Sequence, residues 1–164
     1  MSLDRFDAAI ITTLLKNSRA TGLELSKEVG LSPSACARRI QQLETDGYIT
    51  GSQATIDLDR IGFRVTVIVT LTLAQQTEEA MEEFERAVAK FPSVLWCFLM
   101  SGTGDYIMSI AARDVRDYER IHKEQLSCLP GVSKLHSSFA LREVVRRPAP
   151  AHLKTIIGSV TRDV

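Results

Sequence analysis

Apolar residues recur at helical spacing near the start of the chain. Every third or fourth position of one stretch is apolar, namely Leu3, Phe6, Ile10 and Leu14. This spacing predicts an amphipathic helix over residues 4–17. The helix should end near two consecutive polar residues, Asn17 and Ser18.

Two further helices follow, and each has its own start signal. Thr21 and Glu24 form a capping box, which predicts a short helix that stops at Gly30. Ser32 is a good N-cap and Pro33 then falls at the first helical position. Two short helices joined by a turn that contains glycine are typical of a helix-turn-helix.

The third helix has one apolar and one polar face. Cys36, Ile40 and Leu43 recur at spacings of four and three, and Gly47 ends the helix. The other face is small at its N-terminal end, then cationic and amide-bearing, with Ser34, Ala35, Arg38, Arg39 and Gln42. Such a face suits a DNA groove, because Arg can bind guanine or phosphate and Gln can bind adenine. A merely solvated helix surface is the alternative.

The stretch after Gly47 predicts a hairpin. Residues 48–50 and 53–58 are rich in β-formers and flank a turn at Gly51 and Ser52. A hairpin behind a recognition helix makes a winged helix-turn-helix. The wing would contact the DNA backbone or minor groove, or would only close the small core.

The second half alternates strand and helix patterns. The predicted elements are a strand over 64–74, a helix from Thr77 to Pro92, strands over 94–100 and 106–112, a helix from Asp114 to Pro130, and a strand over 132–145. This order, βαββαβ, is that of a ferredoxin-like domain. The chain is therefore predicted to be α+β, with an N-terminal winged helix-turn-helix domain joined to a C-terminal ferredoxin-like domain.

The run over 94–100 is almost continuously apolar, which predicts a strand buried on both faces. Helices on one side of the sheet leave its other side open. We therefore expect a homo-oligomer, starting from a dimer.

The composition of the chain limits the classes of function that it can have. The 164 residues are 45% hydrophobic and 24% charged, with no apolar run near the ~20 residues of a membrane span and no apolar N-terminal segment. The three cysteines and three histidines are scattered, so we expect no metal, no cofactor and a reducing, cytoplasmic location. The net charge is zero, so any DNA contact must come from a local patch.

One loop carries candidate binding chemistry. Gly102-Thr103-Gly104-Asp105 has two glycines that allow close backbone approach, and a carboxylate that could bind an α-ammonium. Together they suit an amino-acid zwitterion. The same residues also suit a plain hairpin turn.

Two other function classes fit the sequence less well. A small enzyme would need a nucleophile or an acid–base pair with an orienting group, and the sequence offers none, so we expect no catalytic activity. A ligand-binding module whose helices contact only proteins would form complexes that are insensitive to salt.

Residues 3–147 resemble the Lrp/AsnC (feast/famine) family of transcription regulators. The N-terminal match rests on Leu3-Asp4, Asp7, Leu14-Leu15, Asn17, Arg19, Leu25, Gly30-Leu31-Ser32, Arg39, Leu43-Glu44, Gly47, Ile49, Gly51, Leu58 and Gly62. The C-terminal match rests on Gly102 to Tyr106, Leu129 to Val132 and Leu141 to Val144. Small departures are Ser26 where Ala is usual and Cys36 where Val is usual.

The resemblance implies roles for particular residues. The third helix would bind double-stranded DNA through Ser32, Ser34, Ala35, Arg38, Arg39 and Gln42, with Arg39 either holding a helix or phosphate in place or reading a base. An amino-acid effector site would include Gly102, Thr103, Gly104, Asp105, Tyr106 and Ser137. Leu135 replaces a frequent Thr and reduces the polar lining of that site.

The resemblance also implies a division of the chain and an assembly. Residues 1–60 would bind DNA, residues 61–147 would bind the effector and drive assembly, and residues 148–164 would be a C-terminal tail. Family members form dimers, often gathered into octameric rings. The implied function is a sequence-specific transcription regulator whose oligomer responds to a small metabolite.

Overall fold

The computed structural model describes residues 3–150 and 152–153, and these fall into two compact units. The first unit comprises the chain up to Thr55 together with the segment from Val145, and the second comprises Ile56–Val144. The part of the predicted tail beyond residue 153 lies outside the described residues.

Three helices form the first unit: α1 (Arg5–Lys16), α2 (Gly22–Val29) and α3 (Pro33–Thr45). Each predicted cap is present, because caps depend only on neighbouring residues. The Thr21 hydroxyl accepts the Glu24 N–H, and the Glu24 carboxylate accepts the Thr21 N–H. Gly30 ends α2 in the left-handed conformation at φ +74°. The three helices share a core of Ile10, Leu25, Val29, Cys36 and Leu43.

The predicted wing strands are wrong. Among the described residues, 49–57 contain no strand, and the stretch 50–57 is exposed to solvent. The physical reason is that a two-stranded hairpin is marginal in water unless one face packs on something. Ile56 would have to supply much of that packing, and it remains half exposed.

The second unit follows the predicted order of strands and helices. Its elements are β1 (Val65–Leu73), α4 (Glu78–Val88), β2 (Val94–Leu99), β3 (Tyr106–Ala112), α5 (Val115–Glu124), a 3-10 turn (Leu126–Cys128) and β4 (Val132–Phe139). The sheet is antiparallel with the order β2-β3-β1-β4. The predicted last strand, over 132–145, is too long. β4 ends at Phe139, and after Ala140 the chain no longer pairs with β1.

One face of the sheet carries the core. Alternate residues of β1 and β3, such as Val69 and Met108, pack with Phe84 of α4 and Ile121 of α5. Both helices therefore cover the same face, as a ferredoxin-like βαββαβ order requires. Leu126, predicted to continue α5, is buried in the 3-10 turn instead.

The prediction that the 94–100 run is buried on both faces is wrong for the single chain. The sheet order places β2 at an edge, where only β3 pairs with it. Trp96 and Phe98 are exposed on the face opposite the helices, because they pair with Ser109 and Ile107 of β3. The apolar run thus leaves an uncovered surface in an isolated protomer.

Candidate functional site

Helix α3 is oriented by its caps and its apolar face. The Ser32 hydroxyl accepts the Ala35 N–H at 3.2 Å, and Pro33 occupies the first turn. Cys36 and Leu43 are fully buried, and Gly47 follows the helix at φ +76°. The opposite face of α3 is consequently the outer face.

The predicted DNA-binding residues all belong to α3 or its N-cap. Ser32, Ser34, Arg38 and Gln42 are exposed, whereas Ala35 and Arg39 are half-buried. The Ser32 and Ser34 hydroxyls lie 3.1 Å apart, and the Gln42 amide donates a 2.7 Å hydrogen bond to Asp46. Across the described chain, no ion pair or hydrogen bond engages Arg38. Arg38 is therefore the side chain of this set that is available to an anionic ligand.

Arg39 has two partners within the chain. Its guanidinium lies 2.7 Å from Asp7 and 2.8 Å from Asp4, and it also faces the ring of Phe6. Asp7 is almost completely buried, and its other oxygen accepts the Asp4 N–H in the capping box of α1. Arg39 thus joins α3 to the first turn of α1. Because Asp4 and Asp7 occupy its guanidinium, Arg39 is poorly placed to form hydrogen bonds with a base.

The electrostatics agree with this arrangement. The hydrogen bond to Asp7 raises the pKa of Arg39, helped by the charge of Asp4. Burial alone would raise the pKa of Asp4, but backbone hydrogen bonds from Asp7 and Phe6 and the charge of Arg39 outweigh it and lower that pKa. Arg39 and Asp4 therefore stay ionised throughout the neutral range.

Asp7 was missed as a site residue, although the sequence held a signal for it. Asp7 follows Leu3 by four residues and precedes Ile10 by three, so it stands inside the apolar stripe of α1. A carboxylate in a buried stripe requires a cation or hydrogen-bond donors. What the sequence did not show is that the cation lies 32 residues away.

The predicted effector loop connects β2 to β3. Gly102 and Gly104 have φ values of +127° and +84°, which side chains rarely adopt. A Cβ on Gly104 would lie 2.5 Å from the Thr70 methyl group, so glycine is required there for space as well. The Asp105 N–H donates to the Leu71 carbonyl at 2.8 Å, which fixes the loop against β1.

The Asp105 carboxylate is half-buried and already engaged. One oxygen accepts the Leu73 N–H at 2.7 Å, and the Gln76 amide lies 3.4 Å from the same oxygen. These bonds orient the carboxylate and leave lone pairs on its oxygens for another donor.

Tyr106 and Ser137 point into the core. The Tyr106 ring lies 4.3 Å from that of Phe84, and its hydroxyl donates to Glu85 at 2.8 Å. Burial, the bond to Glu85 and the Glu85 charge raise the pKa of Tyr106 well above its usual range. The Ser137 hydroxyl contacts that of Tyr118 on α5. Tyr106 and Ser137 therefore contact α4 and α5, whereas Gly102 to Asp105 form the loop between β2 and β3.

A cavity of about 360 Å³ does lie beside Tyr106. It opens between α4 and β2, and its lining includes Glu85, Phe91, Trp96 and Cys97. Burial raises the pKa of the Cys97 thiol to about 11, so that thiol is neutral at physiological pH. The loop residues Gly102 to Asp105 are not part of this lining.

Two negative findings apply to the described residues. They contain no group of three or more His, Cys, Asp or Glu side chains that could hold a metal ion. None of their helices has the length and apolar character needed to cross a membrane.

Two family models match the chain. Residues 3–50 match a winged helix-turn-helix DNA-binding model, and residues 66–150 match the Lrp/AsnC ligand-binding domain. The second match alone spans about half of the chain.

Curated relatives agree with these matches. The chain is 48% identical to an HTH-type transcriptional regulator of Sinorhizobium fredii. The 118 aligned residues cover 72% of this chain and 93% of the relative. It is 35% identical to the Bkd operon transcriptional regulator of Pseudomonas aeruginosa, over 90% of this chain and 97% of that one. The leucine-responsive regulatory protein of Escherichia coli K12 is also 35% identical, over 87% of each chain.

Solved structures show the same fold. A Neisseria meningitidis transcriptional regulator in complex with L-methionine superposes with a TM-score of 0.86 at 30% identity, covering 92% of this chain and 97% of its own. An AsnC-family regulator from Agrobacterium tumefaciens gives 0.85 at 30% identity, with the same coverage. The domain matches, the relatives and the helix-turn-helix geometry lead to one conclusion: the chain belongs to the Lrp/AsnC family of transcriptional regulators.

Proposed function

We propose that this regulator binds specific DNA sequences through the outer face of α3. The observation that carries the proposal is the contrast between two adjacent arginines: Arg39 is held by Asp7 and Asp4, whereas Arg38 is exposed and has no partner among the described residues. The small side chains of Ser34 and Ala35 allow the N-terminal end of α3 to approach a groove closely. Arg38 would then bind a guanine edge or a phosphate.

In this proposal Arg39 acts as a positioning residue. It ties α3 to α1 and so fixes the angle at which the outer face meets DNA. Gln42 would reach a base only after releasing Asp46, since its amide donates to that carboxylate in the free protein. Ser32 would contribute mainly as the N-cap.

Selection from a random pool of duplex DNA by the full-length protein tests this proposal. We expect one enriched sequence, bound more tightly than a scrambled duplex in fluorescence anisotropy. Because the net charge is zero, few phosphates are neutralised and the salt dependence of binding should be modest per protomer. Enrichment of no sequence, together with equal affinity for both duplexes, would overturn the proposal and favour a role for α3 in protein contacts.

We propose further that the second unit binds an amino acid or a related metabolite at the Gly102–Asp105 loop. The match to the Lrp/AsnC ligand-binding domain supports this, and the N. meningitidis relative was solved with L-methionine. In this chain the loop has exposed backbone at Gly102 and an oriented carboxylate at Asp105. Tyr106 and Ser137 support the loop and the sheet from within the core.

A thermal-shift screen against the twenty amino acids tests this site. A ligand at about 100 times its Kd should stabilise the protein by ~2.7 kcal/mol. The shift should be lost in Asp105→Asn, which removes the charge and keeps the shape of the side chain. A shift that survives in Asp105→Asn would contradict the assignment of the loop.

The open face of the sheet is the surface that we propose for a homodimer. Ile68, Trp96, Phe98 and Ile107 lie on this face, opposite the helices. Trp96 and Phe98 are also in ring contact, with centroids 5.3 Å apart. Water-exposed aromatic pairs of this kind favour association with a second apolar surface.

We propose that the effector acts by changing this assembly, from dimers to larger rings or the reverse. Sedimentation velocity with and without the amino acid found in the screen tests this. A changed distribution of species supports the proposal, and an identical distribution at saturating ligand would contradict it.

A further inference from the structure

The first unit contains a second open cavity, of about 440 Å³. It lies between the last turns of α1 and the segment that follows residue 146. Leu15 and Lys16 line it from α1, while Arg147, Pro148, Pro150 and Leu153 line it from the other side. The cavity shares no lining residue with the Gly102–Asp105 loop. Its volume is within the range of small-molecule sites.

The wall opposite α1 has a defined shape. Pro148 and Pro150 restrict the backbone, since the proline ring fixes φ. The Leu153 N–H donates to the Pro150 carbonyl at 3.1 Å, which closes a turn. Ala149 and Leu153 are half-buried, so this segment lies against α1.

The charges at the cavity have one sign. Lys16 and Arg147 are the charged residues of the lining, and no carboxylate is among its residues. Within the described chain neither cation forms an ion pair. The remaining walls are largely apolar, because leucine, proline and alanine supply most of them. Two cations beside apolar walls favour a ligand that carries a negative charge on an apolar body.

We propose that this cavity binds a small monocarboxylate with an aromatic or aliphatic body. The Arg147 guanidinium matches a carboxylate in two parallel hydrogen bonds, and the Lys16 ammonium adds a third donor. Leu15 and Leu153 contact the apolar body. This site is independent of the effector loop proposed above.

The consequence for the regulator follows from the position of α1. A ligand that bridges Lys16 and Arg147 holds residues 147–150 and Leu153 on α1, the helix whose first turn binds Arg39 of α3. Binding therefore stabilises the folded first unit in the arrangement that presents the outer face of α3.

Calorimetric titration of the full chain with phenylacetate and with hexanoate tests the proposal, with phenylacetamide and hexanamide as uncharged controls. We expect the acids to bind with a Kd below about 1 mM and the amides to bind at least tenfold more weakly. Lys16→Gln and Arg147→Gln should each weaken the acids about tenfold. Arg116→Gln, which removes an exposed cation of α5, is the matched control and should leave the Kd unchanged.

A second variant tests the location without altering charge. Leu15→Trp places a larger side chain in the cavity and should abolish binding of both acids, with the circular dichroism spectrum unchanged. Equal affinity for acid and amide would overturn the proposal. The proposal would also be overturned if neither acid bound at a concentration of 10 times the expected Kd. The same holds if binding were lost in Asp105→Asn and kept in both Lys16→Gln and Arg147→Gln.

Discussion

Arg39 of α3 donates a 2.7 Å hydrogen bond to Asp7 of α1, a carboxylate that is only 1% exposed. The pair connects α3, the proposed DNA-binding helix, to α1. Asp4 holds the other side of the guanidinium at 2.8 Å. The two adjacent arginines of α3 therefore differ: Arg39 is held by two carboxylates, whereas Arg38 is exposed and has no partner among the described residues.

Removal of Arg39 should destabilise the first unit. Arg39→Ala leaves the Asp7 carboxylate buried without its cation, so we expect the free energy of unfolding to fall by about 2–4 kcal/mol. Urea denaturation followed by circular dichroism measures this. Arg38→Ala is the matched control and should change the value by less than about 0.5 kcal/mol. Equal effects of the two substitutions would contradict the structural role of Arg39.

Glycine at position 104 should be required for space as well as for backbone conformation. Gly104→Ala places a Cβ 2.5 Å from the Thr70 methyl group and 3.3 Å from the Leu71 carbonyl oxygen. Gly131 has a similar φ of +68° with nothing within 4 Å, so Gly131→Ala incurs only the conformational cost. We expect Gly104→Ala to be the more destabilising by at least about 1 kcal/mol. Thermal unfolding of both variants checks this, and the reverse order would be inconsistent with the loop geometry.

The stability of the second unit should depend on acid through Asp117. Its carboxylate accepts hydrogen bonds from the Arg113 guanidinium and N–H and from Arg120, at 2.7 to 3.1 Å. These bonds, that of the Arg113 side chain first, hold the pKa of Asp117 well below its ordinary value of 3.8. A lowered folded-state pKa contributes stability that is present above pH 4 and is lost as the pH falls toward the folded-state pKa.

The test is a comparison with Asp117→Asn across pH. At pH 7 the variant should be less stable by about 1–2 kcal/mol, a modest value because both arginines are at least half exposed. The difference should stay constant down to about pH 5 and shrink below pH 4. A difference that remains constant down to pH 2 would show that the carboxylate charge is not the source of the effect.

The exposed aromatic pair on the open sheet face should control self-association. Phe98→Glu puts a charge on that face and should convert the oligomer to a smaller species in sedimentation velocity. Val115→Glu is the control, because Val115 on α5 is 62% exposed and Phe98 is 59% exposed. If both variants sediment like the wild type, the open face is not the interface.

The caps and the order of elements could be predicted from the sequence because they depend on neighbouring residues. Ser32, Thr77 and Asp114 each accept the N–H of the residue three positions later, as local spacing requires. The burial of Asp7 could also be predicted, because Asp7 stands within the apolar stripe of α1. Its partner was not, since that depends on how α1 and α3 pack.

The errors concern features that depend on more distant parts of the chain. The hairpin over residues 48–58 needed a surface to pack on, and local β-propensity does not supply one. Burial of the 94–100 run depended on the place of β2 in the sheet, which is an edge. The place of Ser137 in the effector site stays a prediction; its hydroxyl contacts that of Tyr118 on α5.

The central claim is that Arg38, and not Arg39, contacts DNA. Its most direct test is to repeat the selection from random duplexes with Arg38→Ala and to compare the base preferences with those of the wild type. We predict that the variant melts at the same temperature and loses its base preference at one position of the selected sequence, with a cost of about 1–3 kcal/mol in affinity. Identical base preferences and affinity in the folded variant would contradict the claim.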